Sequence, residues 1–145
     1  MTIWWDMDGT IADLYGVRGW LDMILANDTT PYKEAAVMCN MNQLARLMNR
    51  ARRAGYKLGI ISWTAKDASE SYADAIVTAK LNWLKQHLAS VQFDEICIVA
   101  YGTPKAQFSH SEGDILFDDE APNREAWEGE AFDPSVMIEV LKELE

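Results

Sequence analysis

The sequence feature that most restricts the fold of this chain is the alternation of short apolar runs with segments of helical periodicity. Runs typical of strands lie at residues 2–6, 57–62, 95–100 and 114–117, and a shorter one lies at 129–132. Strands joined through helices pair in parallel and are covered on both faces. The pattern therefore predicts an α/β protein, a three-layer sandwich around a central parallel sheet.

Three segments carry apolar residues at the spacing of one helical face. They are residues 41–54, 71–88 and 134–144. Asn40 suits the N-cap of the first and Gly55 its end. The first two helices are expected to cover the sheet and the third to close the domain. The apolar stripe assigned to the second helix consists of Ala73, Ile76, Val77, Leu81, Leu84 and Leu88.

Residues 14–40 separate the first strand from the first long helix. They contain apolar positions interrupted by a polar break at residues 27–31, which predicts one or two short helices. The sequence shows no internal repeat and no low-complexity linker. We interpret residues 1–145 as a single domain with a small insertion at about 14–40.

Charge restricts the partners of the protein. The 145 residues carry 13 Lys and Arg against 23 Asp and Glu, a formal net charge of −10, so binding to nucleic acid is not expected. No apolar stretch is long enough to cross a bilayer and no basic leader precedes the first strand, which favours a cytoplasmic protein without a membrane partner. Cys39 and Cys97 lack metal-type spacing and are expected to be buried thiols. The oligomeric state stays open.

Two carboxylates follow the first predicted strand. Alternation along an extended chain places Asp6 and Asp8 on one side, and Gly9 permits a sharp exit. Carboxylates this close repel each other by several kcal/mol at intermediate dielectric, so they need a cation, a shared proton or solvent. A calcium loop is excluded because Ile11 stands where Gly is required and Val17 where Glu is required. An acidic surface turn is the simpler alternative.

Polar residues also follow the next three strands, at the edge where parallel sheets bind ligands. These residues are Ser62, Thr64, Lys105, Asp118 and Asp119. A hydroxyl at a strand end is usually a cap, and a lysine is usually solvated. The pair Asp118 and Asp119 beside apolar residues has no such ordinary explanation, which favours a functional site.

The order Asp-x-Asp-Gly-Thr, Ser or Thr, Lys, Asp-Asp, each closing a predicted strand, resembles the haloacid dehalogenase superfamily of phosphohydrolases over residues 3–119. This resemblance implies a Rossmann-like fold with a small cap at 14–40, Mg²⁺ as cofactor and a small phosphorylated substrate. It implies that Asp6 is the nucleophile and Asp8 the general acid and base. The remaining implied roles are phosphate binding by Ser62 or Thr64, stabilising charge from Lys105, and a metal site that contains Asp6, Asp8 and Asp118. We expect Asp119 either to bind the metal as well or to contact one of its ligands.

The substrate expectation is a nucleoside monophosphate, with deoxynucleotides favoured. Residues 113–119 resemble the last motif of the 5'(3')-deoxyribonucleotidases, and Trp63 is placed to stack a base. The insertion is shorter than the cap of those nucleotidases, which would leave the site open to a larger substrate. A polynucleotide end and a phosphoprotein therefore stay as alternatives, although the net charge disfavours a polyanionic substrate.

Two non-catalytic alternatives remain. A receiver domain of two-component signalling also combines acidic residues, a hydroxyl and a lysine, but its acceptor Asp follows the third strand, and residues 95–100 end without one. The other is a degenerate relative that binds only metal or a partner. Every motif position is occupied here, which favours the enzyme.

Overall fold

The computed structural model describes residues 1–144 of the chain. Its strands are β1 (Thr2–Trp5), β2 (Ala12–Asp13), β3 (Ala36–Val37), β4 (Lys57–Trp63), β5 (Glu95–Val99), β6 (Ile115–Phe117) and β7 (Ala131–Phe132). Its α-helices are α1 (Trp20–Leu25), α2 (Thr30–Glu34), α3 (Met41–Arg53), α4 (Glu70–His87), α5 (Ala121–Ala126) and α6 (Met137–Glu143). Short 3-10 turns lie at Leu14–Gly16, Lys105–Phe108 and Pro134–Val136.

The prediction of an α/β fold around a parallel sheet is confirmed. Five strands pair in parallel in the order β5-β4-β1-β6-β7. Asn40 caps α3 by accepting a hydrogen bond from the Gln43 amide at 3.1 Å, and Gly55 takes the positive φ of 103° that ends this helix. The third predicted helix begins as a 3-10 turn at Pro134 and becomes α-helical at Met137.

The two faces of the sheet are covered unequally. Helices α3, α4 and α6 pack on the face that carries Ile3 and Trp5. The opposite face carries Trp4 and is covered by Trp127, which follows α5, and by Phe108 of a 3-10 turn. Right-handed connections explain this, because the chain moves in one direction from β1 to β4 to β5 and then reverses towards β6 and β7.

The reversal of strand order also creates a crevice. Connections leave β1 and β6 towards opposite sides, so the carboxyl ends of these adjacent strands form a topological switch point. The register pairs Trp5 with both Ile60 of β4 and Phe117 of β6. Asp6 and Asp118, the next residues of β1 and β6, therefore lie level at one edge of the sheet.

The insertion after β1 consists of the antiparallel strand pair β2–β3 and, between these strands, a 3-10 turn and the short helices α1 and α2. Side chains of α4 hold it: the Tyr72 hydroxyl donates to the Asp28 carbonyl at 2.8 Å, and Trp83 Nε1 donates to the Ala35 carbonyl at 2.8 Å. The insertion thus lies over the carboxyl edge of the sheet. Among the described residues, no helix combines the length and apolarity needed to cross a membrane.

Asp114 anchors the opposite edge of the sheet. Its carboxylate is 1% exposed and accepts hydrogen bonds from the Thr2 amide, Trp4 Nε1, the His110 amide and the Ser111 hydroxyl at 2.8–3.2 Å. Burial alone would raise the pKa of Asp114, but these donors lower it below its ordinary value. The ionised form is therefore the one that stabilises the fold.

Replacing Asp114 with Asn is expected to lower the free energy of unfolding by about 2–3 kcal/mol at neutral pH, because an amide N–H then faces buried donors. A lowered folded-state pKa gives stability that is present above the unfolded-state pKa and is lost as pH falls through the folded-state pKa. Urea denaturation at several pH values should show the difference from wild type shrinking in that acid range. The exposed Asp74→Asn variant is the control, and an equal loss in both variants contradicts the prediction.

Candidate active site

A cavity of about 510 Å³ opens at the carboxyl edge of the sheet, between the switch point and the insertion. Its floor carries the carboxylates that follow β1 and β6, and its walls are mainly aromatic and apolar. The residues that line this cavity include Asp6, Asp8, Trp63, Thr64, Lys66, Asp67, Tyr101, Lys105, Asp118 and Asp119.

Asp6 stands at the centre of the floor and is 6% exposed. Its Oδ1 accepts a hydrogen bond from Lys105 Nζ at 2.8 Å, and its Oδ2 accepts one from the Thr10 hydroxyl at 3.0 Å. Gly9, with φ of 81°, makes the tight exit from β1, and a Cβ there would lie 2.2 Å from Asp119 Oδ2. Glycine is therefore required both by the turn and by the closeness of the second acidic pair.

Lys105 is buried, in contrast to an ordinary surface lysine. The residue is 3% exposed, and its ammonium also donates to Asp118 Oδ2 at 2.7 Å. Burial alone would lower the pKa of Lys105, but the Asp6 and Asp118 carboxylates outweigh burial and raise it. Lys105 is thus a fixed positive charge between two carboxylates.

Asp6, Asp118 and Asp119 form a carboxylate triad in which one oxygen from each lies within 4.8 Å of the others. Burial and the negative charge of Asp6 raise the pKa of Asp118, with Lys105 opposing them. Burial, Asp6 and Asp118 raise the pKa of Asp119 to about 8. Lys105 therefore compensates the negative charge of this triad only in part.

The donor chemistry of the triad fits Mg²⁺. All three groups offer hard carboxylate oxygens, and Mg²⁺ is typically held by one or two carboxylates together with water and substrate phosphate oxygens. Asn123 Nδ2 donates to Asp118 Oδ2 at 3.1 Å and the Glu120 amide donates to Asp118 Oδ1 at 3.0 Å, which fixes this carboxylate. Residues Asp6, Asp118 and Asp119 would hold the ion.

Asp8 lies apart from the triad. Its carboxylate borders the cavity, and its Oδ2 accepts a hydrogen bond from Lys80 Nζ at 2.8 Å. The structure therefore brings three of the four predicted metal ligands together and directs the fourth side chain, Asp8, to a lysine. This arrangement leaves Asp8 on the cavity, two residues after Asp6 in the chain.

The two hydroxyl residues at the end of β4, Ser62 and Thr64, have different environments. Thr64 borders the cavity, whereas Ser62 is fully buried and its Oγ accepts a hydrogen bond from Lys80 at 2.6 Å. Trp63 borders the cavity too; its Nε1 donates to the Thr103 carbonyl at 2.9 Å, and its ring lies 5.0 Å from that of Tyr101. Of the two hydroxyls proposed for phosphate, Thr64 is the one with access to the cavity.

Lys80 is a site residue that the sequence pattern did not reveal. It lies on the buried face of α4 with 1% exposure, between Ile76 and Trp83. The stripe expected for this helix included Val77 and Leu81, which are only partly buried. A lysine on the apolar face of a helix was the available signal.

Replacing Asp119 with Asn is expected to raise the melting temperature of the metal-free protein by roughly 2–5 °C, because it removes one of three crowded carboxylates. The same change should abolish most of the stabilisation by Mg²⁺. Calorimetry with chelator and with excess Mg²⁺ measures both effects. Asp67→Asn, an exposed change on the same cavity, is the control, and an unchanged Mg²⁺ response of the Asp119 variant contradicts the prediction.

The fold and the site together define a parallel α/β protein with a carboxylate-rich cleft at its switch point. The chain matches no protein-family model and no curated protein sequence. Its fold is similar to the crystal structure of a D,D-heptose 1,7-bisphosphate phosphatase from Burkholderia thailandensis, with a TM-score of 0.53. The two share 14% sequence identity, and the similarity covers 86% of this chain and 70% of the other. At this identity the similarity shows the shared fold.

Proposed function

We propose that this chain is a Mg²⁺-dependent phosphatase of the haloacid dehalogenase type, which hydrolyses small phosphate monoesters through an aspartyl-phosphate on Asp6. The observation that carries the proposal is the environment of Asp6: a buried lysine on one oxygen, two further carboxylates within 4.8 Å and Asp8 on the same cavity. Similarity of fold to a phosphatase supports it.

The first step forms a bond between an Asp6 carboxylate oxygen and phosphorus. Bound Mg²⁺ would cancel the repulsion between this carboxylate and the substrate phosphate. The bond from phosphorus to the leaving oxygen breaks, its electron pair stays on that oxygen, and Asp8 donates the proton. Lys105 supplies fixed positive charge beside the transferred group, and Thr64 offers a hydroxyl to a phosphate oxygen.

The second step releases phosphate. Water attacks phosphorus while Asp8, now ionised, accepts a proton from it. The bond between Asp6 and phosphorus breaks with its electron pair returning to the carboxylate, so both aspartates regain their starting states.

A nucleoside monophosphate, with deoxynucleotides favoured, is the proposed substrate. The aromatic walls of the cavity around Trp63 and Tyr101 suit a planar base, and residues 113–119 resemble the last motif of the deoxyribonucleotidases. Among the described residues that line the cavity, Lys66 and Lys105 are the cations. One phosphate can be neutralised there, whereas a bisphosphate or a polynucleotide end would bring more negative charge to a protein of net charge −10.

A panel of phosphate monoesters assayed with Mg²⁺ and with chelator tests the proposal. We expect turnover only with Mg²⁺, and a kcat/KM for a deoxynucleoside monophosphate well above that for sugar phosphates, phosphoserine or a 3'-phosphorylated oligonucleotide. A kcat/KM that is similar for all substrates, or highest for the oligonucleotide, rejects the nucleotide as the substrate and leaves the phosphatase assignment standing. Stoichiometric phosphorylation of the protein without turnover would indicate a receiver-like domain. Full activity in the presence of chelator would reject the proposed dependence on Mg²⁺.

A further inference from the structure

Lys80 is a buried ammonium whose three N–H groups all have partners. Nζ donates to Asp8 Oδ2 at 2.8 Å, to Ser62 Oγ at 2.6 Å and to the Trp63 carbonyl at 2.6 Å. An ammonium group has three donors and no acceptor, so its hydrogen-bonding capacity is filled. A buried charge is tolerated only with this degree of pairing, which fixes where the group lies.

The partners of Lys80 are themselves rigid. Ser62 and Trp63 belong to β4, an interior strand of the sheet that pairs with β1 and β5. The ammonium also lies 5.2 Å from the centre of the Tyr32 ring, which belongs to the insertion. The Lys80 ammonium therefore connects the sheet, helix α4 and the insertion, and the same group contacts Asp8.

The two carboxylate oxygens of Asp8 have different environments. Oδ2 is held by Lys80, whereas Oδ1 makes no hydrogen bond within residues 1–144 and the residue borders the cavity. Lys80 itself does not line the cavity, in contrast to Lys105.

From this geometry we infer that Lys80 is a positioning residue, which holds Asp8 Oδ2 so that Oδ1 carries and accepts the proton in the reaction. The inference rests on the proposed function. It also assigns Ser62 as an anchor of the Lys80 ammonium, with Thr64 as the hydroxyl for phosphate. The two lysines then have separate tasks, Lys105 at the nucleophile and Lys80 at the general acid and base.

The Lys80→Met variant tests this role, because it removes the charge while keeping an unbranched side chain. Single-turnover rates of the phosphorylation step are measured with two substrates. An alkyl monoester such as a deoxynucleoside monophosphate has a basic leaving oxygen that needs the proton from Asp8. p-Nitrophenyl phosphate has a weakly basic leaving group that needs it much less. We expect a loss of about 100-fold for the alkyl ester and of less than about 10-fold for p-nitrophenyl phosphate.

Two controls separate positioning from general damage. Lys85→Met, an exposed change on the same helix, should leave both rates at wild-type values. In the Asp8→Asn background, Lys80→Met should cause little further loss, because the group it positions no longer transfers protons. Inhibition by vanadate should be unchanged by Lys80→Met, since Lys80 does not line the cavity.

Ser62→Ala keeps the test available if the Lys80 variant does not fold. Removing one anchor of the ammonium should produce the same dependence on the leaving group with a smaller loss and unchanged vanadate inhibition. Weaker vanadate inhibition, with equal losses for both substrates, would instead show Ser62 on the phosphate and overturn the assignment.

The outcomes also separate this inference from the proposed function. In one outcome the wild-type protein hydrolyses both esters while Lys80→Met lowers neither rate, or lowers both rates equally. That result overturns the inference and leaves the phosphatase assignment standing. A wild-type protein that hydrolyses no phosphate ester with Mg²⁺ overturns both.

Discussion

Replacing Asp6 with Asn is expected to lower kcat by roughly 10⁴-fold or more for every substrate that the wild-type protein hydrolyses. The amide is almost the same size as the carboxylate, but it is not a nucleophile. The amide also cannot carry the charge that pairs with Lys105 at 2.8 Å and contributes to the carboxylate triad. The measurement is steady-state hydrolysis with excess Mg²⁺, together with a melting curve that shows a folded variant.

The matched control for this prediction is Asp67→Asn, the same chemical change at an exposed position on the same cavity. It should keep nearly wild-type kcat. Homogeneous Asp6→Asn protein that retains more than a few per cent of the wild-type rate would reject Asp6 as the nucleophile. The proposal of a covalent intermediate would then have to be abandoned.

Asp6 and Asp118 show why part of the site follows from sequence. Each comes directly after a short apolar strand, and parallel strands end at one edge of a sheet, so residues after different strands meet without any knowledge of the loops. The register of β1 with β6 places these two carboxylates level, as the strand pattern requires. The expected sheet and the position of its polar edge depend only on this directionality.

Lys80 shows what strand ends cannot reveal. It comes from the middle of α4, and its place opposite Asp8 depends on how that helix rotates on the sheet. The stripe with Val77 and Leu81 predicts a rotation different from the observed one, in which Tyr72, Ala79 and Trp83 are buried. Because α4 has apolar residues on most sides, periodicity did not determine which side faces the core.

The sequence pattern also did not predict which residues cover the second face of the sheet. The chain between β5 and β6 contains a single 3-10 turn, Lys105–Phe108, and therefore has no 3.6-residue periodicity to detect. The buried place of Lys105 in that turn comes from its ion pairs with Asp6 and Asp118. These contacts are long-range and have no local signal in the sequence, so only the order of the motifs placed Lys105 at the site.

Replacing Asp8 with Asn is expected to separate the two steps of the reaction. Hydrolysis of an alkyl monoester should fall by about 10²–10⁴-fold, because no group protonates the leaving oxygen. p-Nitrophenyl phosphate should still phosphorylate Asp6, since its leaving group departs without a proton. Release of phosphate from Asp6 should then be slow, because the amide that replaces the Asp8 carboxylate cannot accept a proton from water.

Phosphorylated protein should therefore accumulate in the Asp8→Asn variant. The introduced amide keeps a carbonyl oxygen that can accept the Lys80 hydrogen bond, now made to Asp8 Oδ2 at 2.8 Å, so the local structure should persist. Intact-protein mass spectrometry after brief exposure to p-nitrophenyl phosphate and Mg²⁺ should detect one added phosphoryl group. The double variant with Asp6→Asn should show none. An adduct that survives in the double variant places the phosphoryl group on another residue, and rapid turnover by the single variant assigns the proton transfer to a group other than Asp8.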